Sequence, residues 1–337
     1  MLLVPAADMR DTFTRILAKL GYTADKALQC ATVFTNNTVD GVYTHGVYRF
    51  LKFVQYTKEG WVKKDAAPTL KSKFAGIEQW DGNLGPGILN ALHATETAMS
   101  LARQHGIGCV ALSNTNHWMR GGTYGWHAAK AGFVFIGWTN TIANMPAWGA
   151  VDGRLGNNPL IMALPYRNEA VIIDMAMSQY SFGAMELATL KNEKLSAFGG
   201  YDKNGVLTDD PAAILSTRRP LPIGYWKGAG LSLLLDVLAT ILSGGLSTVE
   251  ISKRQVEYGL SQVFVAIDIS KLSNHSSIPA MIENILNDYL QSIPVDDKAK
   301  IVYPGERVLQ TRQNNLEKGI PVVRKVWEEI VNIEQGM

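Results

Sequence analysis

The chain has 337 residues, 47% of them apolar, and a formal net charge of +2, with 32 basic against 30 acidic side chains. That length and apolar share allow one large α/β unit or two to three smaller domains with sizeable cores. The near balance of charge, with no long basic run, excludes the clustered lysine and arginine surface that nucleic acid requires. Cys30 and Cys109 are the only cysteines and stand in no CxxC, zinc-knuckle or disulfide framework, so a reducing cytoplasm is expected. The apolar start MLLVP is too short for a signal-peptide core and has no basic flank.

The first 60 residues read as helices. Phe13, Ile16, Leu17 and Leu20 recur at helical spacing after Asp8, a candidate cap, and Gly21 is the stop. Thr23 caps a second helix carrying Ala27, Leu28, Ala31 and Phe34. A third follows His45, with Val47, Phe50, Leu51 and Val54 as its apolar stripe. At 100° per residue, His45, Arg49, Lys52 and Tyr56 fall on the opposite face. An imidazole and a guanidinium one turn apart, off the core face, suit a small acidic substrate that needs a proton.

From about Lys71 the texture changes. FAGIEQWDG reads as a strand and turn, and Ile88–Gln104 as an amphipathic helix. The runs GCVALS, FVFIGWT, LIMALP, AVIIDMA and QVFVAIDI read as strands. Helices are expected around Gly122–Ala131, Met185–Leu195, Gly228–Leu242 and Ile278–Ile293, then Glu306–Lys318 and Val322–Ile333. Strands and helices do not alternate regularly, so the expectation is mixed α/β rather than a doubly wound sheet. The terminal helical parts are expected to pack together, leaving the middle as a separate domain. LSLLLDVLATIL, Leu231 to Leu242, carries Asp236 and is far shorter than a bilayer span, so a buried core helix is expected and no membrane partner.

GIGCVA, Gly106 to Ala111, matches the letters of a dinucleotide fingerprint with the wrong polarity. A helix precedes it and a strand follows, so Gly106 reads as a helix-terminal glycine. GYWKGAGLS, Gly224 to Ser232, opens a helix with two glycines and Lys227. A phosphate cradle and close packing through Gly228 and Gly230 both fit. SNTNHWMRGGTYGW, Ser113 to Trp126, lies after a strand and offers Asn114, Asn116, His117 and Arg120. WTNTIANMPAWG, Trp138 to Gly149, is another loop after a strand, rich in amides. These loops supply donors and imidazoles but few carboxylates, as an anionic substrate requires. His45, His117 and Asp174 lie far apart in sequence and no metal is expected. There is no G-x-S-x-G for a serine hydrolase.

The segments YTHGVYRF, NTNHWMRGGTYGW, GNNPLIMALP, IDMAMS and GYWKGAGLSLLLD resemble, in order and over almost the whole chain, the malate/L-lactate dehydrogenase family that lacks a Rossmann domain. The resemblance implies an α/β fold with a non-Rossmann, mixed-sheet NAD-binding domain and a helical domain built from both termini. Residues 1–70 with 295–337 are expected as the helical substrate and dimer domain, and 71–294 as the cofactor domain. It further implies an NAD(P)H-dependent ketone reductase, using NADH or NADPH, that acts on a small anionic sugar acid as a homodimer. In the family the Ser/Thr-His-Gly motif carries the proton donor, which falls on His45 beside Thr44. The cofactor segments fall on Ala170, Val171, Ile172, Ile173, Asp174, Met175 and Ala176, on Trp226 and Lys227, and on Gly305, Glu306 and Arg307. Ala176 departs from the family, where a serine is common.

On that reading Arg49 pairs with the substrate carboxylate through two parallel contacts, and His117 holds the substrate or polarises its carbonyl. Spacing alone leaves open whether His45 or His117 gives the proton. Same-family dehydrogenases of malate, lactate, ureidoglycolate or a cyclic imino acid are the nearest alternatives. A non-catalytic sugar-acid binding protein is a more distant one.

Overall fold

The fold is that of a computed structural model, which describes residues 1–254, 256–296 and 299–336. In chain order, β1 (Leu2–Val4) leads into α1 (Ala6–Lys19), α2 (Ala24–Val39) and α3 (Val47–Lys58). A hairpin of β2 (Thr69–Phe74) and β3 (Ile77–Asp81) follows, then α4 (Gly87–His105), β4 (Ile107–Thr115), α5 (Gly122–Lys130) and β5 (Phe133–Thr139). Short strands β6 (Met145–Pro146) and β7 (Gly153–Leu155) precede the pair β8 (Leu160–Tyr166) and β9 (Glu169–Met175). A small lobe holds α6 (Phe182–Leu190), β10 (Gly200–Tyr201), β11 (Leu207–Thr208) and α7 (Pro211–Thr217). Then come α8 (Trp226–Ser243), α9 (Thr248–Ser252), β12 (Leu260–Asp268), α10 (Ile278–Leu290), α11 (Glu306–Lys318), β13 (Ile320–Val322) and α12 (Arg324–Gln335).

Seven strands form one sheet in the order β2-β3-β4-β12-β5-β8-β9. Only β3 and β4 pair in parallel, through the crossover helix α4; the other neighbours are antiparallel. The expected mixed sheet is therefore present. Alternation along the strands sorts its two faces. Val110 and Leu112 of β4, with Phe264 and Ala266 of β12, pack under α4 and α5. Ala111 and Val263 point the other way, against Ala229, Leu235 and Ala239 of α8. β12, which follows α9, enters the middle of the sheet, and this explains why its apolar run is almost continuous.

The terminal segments share a core. Phe13 stacks on Phe50 at 3.9 Å, Phe34 meets Phe50 edge-on at 5.2 Å, and Ile320, Val322 and Ile330 join the same cluster. β1 pairs with β13, Leu2 opposite Val322.

Three local expectations change. Pro5, not Asp8, precedes α1; its ring presets the entering backbone, while Asp8 sits in the first turn where a carboxylate suits the helix dipole. The helix expected at Met185–Leu195 starts earlier, because Ser181 caps it by accepting the Ala184 N–H at 3.1 Å. The Leu231–Leu242 helix is buried on one face only. α8 is long and apolar enough to cross a membrane by length and composition, yet its Ala229 face lies on the sheet. Asp236 on it accepts from Asn140 Nδ2 and Thr248 N–H, both at 2.9 Å. Its other face leaves Leu233, Leu234, Val237 and Ile241 exposed.

Candidate active site

His45 is seated by a close approach of two backbones. It ends a single 3-10 turn, Tyr43–His45, before α3 rather than lying on that helix. A Cβ on Gly46 would stand 2.9 Å from Thr38 N and 3.1 Å from Phe34 O, so only glycine lets the turn lie against α2. Thr38 Oγ1 accepts the Val47 N–H at 3.0 Å, and Asn37 Nδ2 donates to His45 O at 3.0 Å. Thr44 Oγ1 lies 3.4 Å from His45 Nδ1. The Thr-His-Gly run thus turns the chain so that the imidazole leaves the helical core and lines a cleft.

His117 comes from the opposite side, on the loop after β4. Asn116 pins that loop through Nδ2, which donates to Trp61 O, Leu84 O and Gly85 O at 3.1, 2.8 and 3.0 Å. His117 Nδ1 accepts the Met119 N–H at 2.9 Å, which assigns the neutral ring's proton to Nε2 and makes that nitrogen a donor. The His45 and His117 rings are nearly parallel, with centroids 5.6 Å apart.

Both imidazoles line one cleft of about 970 Å³ together with Thr44, Arg49 and Lys52. Burial, then the Arg49 and Arg120 charges, lowers His45 from the ordinary 6.5 to about 4. Burial, then Arg49, His45 and Lys52, holds His117 well below its usual value. Arg49 faces the two neutral imidazoles with Glu257 3.7 Å away; an incoming carboxylate on Arg49 offsets the charge that opposes protonation of His45.

The sequence-derived residues fall into two groups. Thr44, His45, Arg49 and His117 meet in the cleft. Ala170 to Met175 lie on β9, at the edge of the sheet, with Ala176 just beyond. The loop before α11 covers that edge: Ile172 N–H donates to Pro304 O at 3.0 Å, and a Cβ on Gly305 would meet Ile172 Cγ2 at 2.9 Å. Gly305, Glu306 and Arg307 therefore adjoin the β9 segment. Trp226 and Lys227 are exposed at the start of α8, joined to the end of β9 through Ile223 N–H on Met177 O at 2.8 Å. None of these twelve lines the cleft with His45. The chain links the groups: Met177 N–H donates to Asn157 O at 2.8 Å, and Ser181, Phe182 and Gly183 return to the cleft wall.

A nicotinamide dinucleotide fits these surroundings. The first turns of α8 and α11 have no side-chain cap. The Lys227, Glu306 and Val308 N–H groups donate to Gly224 O, Tyr303 O and Gly305 O at 3.2, 3.1 and 3.1 Å, so the N–H groups of Trp226, Gly228 and Arg307 are the ones a phosphate there would use. In the cleft, Asn144 Nδ2 donates to Asn157 Oδ1 at 3.1 Å, while the buried Asn144 Oδ1 has no partner among the described residues. At Gly228 the packing reading holds as well, since a Cβ there would stand 2.1 Å from Ile223 O; Gly230 has open space.

Behind the cleft lies a charge network that spacing did not reveal. Arg312 holds Asp40 through Nε at 2.7 Å and Nη2 at 3.0 Å, and reaches Glu169 at 3.3 Å. Buried Arg120 also pairs with Asp40, and lies 4.0 Å from Asp174, whose carboxylate accepts the Gly122 N–H at 2.7 Å. The network ties α2, α5, α11 and β9 together. Glu186, Asn144, Asn157 and Glu257 also line the cleft. The amide-rich Trp138–Gly149 loop pointed to Asn144; Glu186 and Glu257 carry no local signal.

Comparison with known proteins is consistent across the whole chain. The family model described as malate/L-lactate dehydrogenase matches residues 4–331. Proteins named 2,3-diketo-L-gulonate reductase from Salmonella paratyphi C and Klebsiella pneumoniae are both 42% identical. The first covers 96% of this chain and 97% of its own, the second 97% and 98%. Among solved structures, malate dehydrogenase from Entamoeba histolytica superposes with a TM-score of 0.94 at 21% identity, covering 99% and 98% of the two chains. Malate dehydrogenase from Pyrococcus horikoshii superposes at 0.89 and 26%, covering 99% and 95%. The chain belongs to the malate/L-lactate dehydrogenase family, and is an oxidoreductase of the 2-hydroxy-acid dehydrogenase type that works with a nicotinamide cofactor.

Proposed function

We propose that the protein reduces 2,3-diketo-L-gulonate to 3-dehydro-L-gulonate with NADH. The observation that carries this reading is the meeting of His45, His117 and Arg49 in one cleft, and the 42% identity to proteins named for that reaction supports it. The bound nicotinamide supplies the hydride. Arg49 holds the substrate carboxylate by its planar, two-point donor edge. His117 Nε2–H hydrogen-bonds the ketone oxygen and stabilises charge as it develops there. His45 gives its proton to the same oxygen as the alkoxide forms, and in the reverse direction takes it back. Ala170–Ala176, Trp226–Lys227 and Gly305–Arg307 hold the dinucleotide along the β9 edge.

On this reading residues 1–70 with 295–337 form the helical substrate and dimer domain and 71–294 the cofactor domain, with Gly305–Arg307 reaching from the first to the cofactor and His117 and α8 from the second to the substrate and the second copy. The core shared by both termini supports the first part. Pairing with a second copy covers the exposed apolar face of α8. The two cysteines are unpaired, which supports a reducing cytoplasm. The test is steady-state oxidation of NADH and NADPH with a panel of 2-keto acids, alongside NADH fluorescence titration. His45→Ala should lose about 10²–10⁴ in kcat and keep its NADH affinity. A variant retaining more than about a tenth of wild-type kcat would transfer the donor role to His117.

A further inference from the structure

The cleft holds fixed carboxylates as well as cations. Glu257 stands apart among them. It lies between α9 and β12, with its side chain only 14% exposed. Oε1 is 3.7 Å from Arg49 Nη2, and Oε2 accepts the Ile142 N–H at 3.2 Å. It is therefore held from two walls of the cleft, by α3 and by the amide-rich loop. Lys52 and Tyr56 of α3 also lie within its field. Asp152 and Glu186 line the same space.

A buried carboxylate costs solvation and is retained where partners offset that cost. Arg49 and one backbone N–H use only part of the acceptor capacity of its two oxygens. The rest faces a cleft far larger than a three-carbon keto acid needs. A second substrate carboxylate, placed beyond the one on Arg49, would meet a like charge. A hydroxyl in the same place would donate a charge-assisted hydrogen bond.

We propose that Glu257 is a specificity-determining residue: it accepts hydrogen bonds from hydroxyls of the substrate tail and repels a second carboxylate, so the cleft takes hydroxylated monocarboxylates in preference to dicarboxylates. This rests on the cleft being the substrate site, and it names the substrate class that site selects.

Glu257→Gln keeps the shape and an oxygen for the Ile142 N–H while removing the charge. Glu257→Asp keeps the charge one methylene back. Kinetics would compare 2,3-diketo-L-gulonate with oxaloacetate, each relative to pyruvate, which has no tail. The expected result for Glu257→Gln is a shift of about tenfold or more in kcat/KM towards oxaloacetate, carried mostly by KM, with Glu257→Asp retaining the wild-type order. Thermal shift of the full chain with NAD⁺ and either gluconate or malate gives a readout free of turnover. Gluconate should stabilise the wild type more than malate does, and Glu257→Gln should narrow or invert that preference. Equal loss on all three keto acids, or an unchanged gluconate-to-malate preference, would overturn the assignment. Failure of the wild type to reduce diketogulonate, with the ligand preference still inverting, would sink the reaction assignment alone.

Discussion

Acidification should cost the wild type stability that a His45→Gln variant keeps. Burial, with Arg49 and Arg120, holds folded His45 at about 4, whereas in the unfolded chain an imidazole titrates near 6.5. Between those values the unfolded chain binds a proton that the folded chain refuses, so stability falls as the pH falls. The contribution of the neutral ring is complete above about pH 6.5 and is lost progressively down to about pH 4. One pKa unit corresponds to about 1.4 kcal/mol, so the window carries up to about 3 kcal/mol, and about 2 kcal/mol of it is gone at pH 5. Water entering the cleft reduces these figures. His117 shifts in the same direction and is present in both proteins; His45 is one of the charges that lowers it, so the difference between them reports His45 together with that coupling. Urea unfolding followed by tryptophan fluorescence, at several pH values from about 7.5 to 4.5, measures it. Parallel stability curves for the two proteins, differing by a constant, would refute the depressed imidazole and with it the charge picture of the cleft.

The same depression makes kcat/KM for ketone reduction fall about tenfold per pH unit across the neutral range, while the reverse oxidation stays level; pH–rate profiles in both directions check this. Arg49→Lys should raise KM for acidic substrates more than for a neutral ketone, since lysine keeps the charge but not the planar fork; an equal effect on both would make Arg49 structural. Lys227→Ala should weaken NADH about ten- to a hundredfold with an unchanged melting temperature, because the side chain is exposed. Gly228→Val should instead destabilise the fold by about 1–3 kcal/mol or more, given the Ile223 carbonyl against it. Asp40→Ala should cost about 3–5 kcal/mol in denaturant unfolding by leaving Arg120 and Arg312 without their shared carboxylate.

Much of this was legible locally. Phe13, Ile16 and Leu17 place one face of α1, and Thr23 caps α2 by accepting the Lys26 N–H at 3.4 Å. Gly106 ends α4 at φ +84°, which is why GIGCVA has the wrong polarity for a nucleotide loop. Helical and strand periods are properties of the backbone, so a dozen residues suffice to reveal them. Sequence motif also brought Thr44, His45, Arg49 and His117 to notice.

Tertiary structure decided what those elements meet. Nothing in LSQVFVAID places β12 between β4 and β5; that follows from register with strands far away in the chain. The exposed outer face of α8 reads in sequence as core, because hydropathy does not record which side of a helix finds a neighbour. The 3-10 turn under His45, its pairing with His117, the depressed imidazoles and the Arg49–Glu257 contact depend on burial and on charges brought together by folding. Local spacing carries backbone geometry, whereas proximity, desolvation and field arise only when distant segments pack.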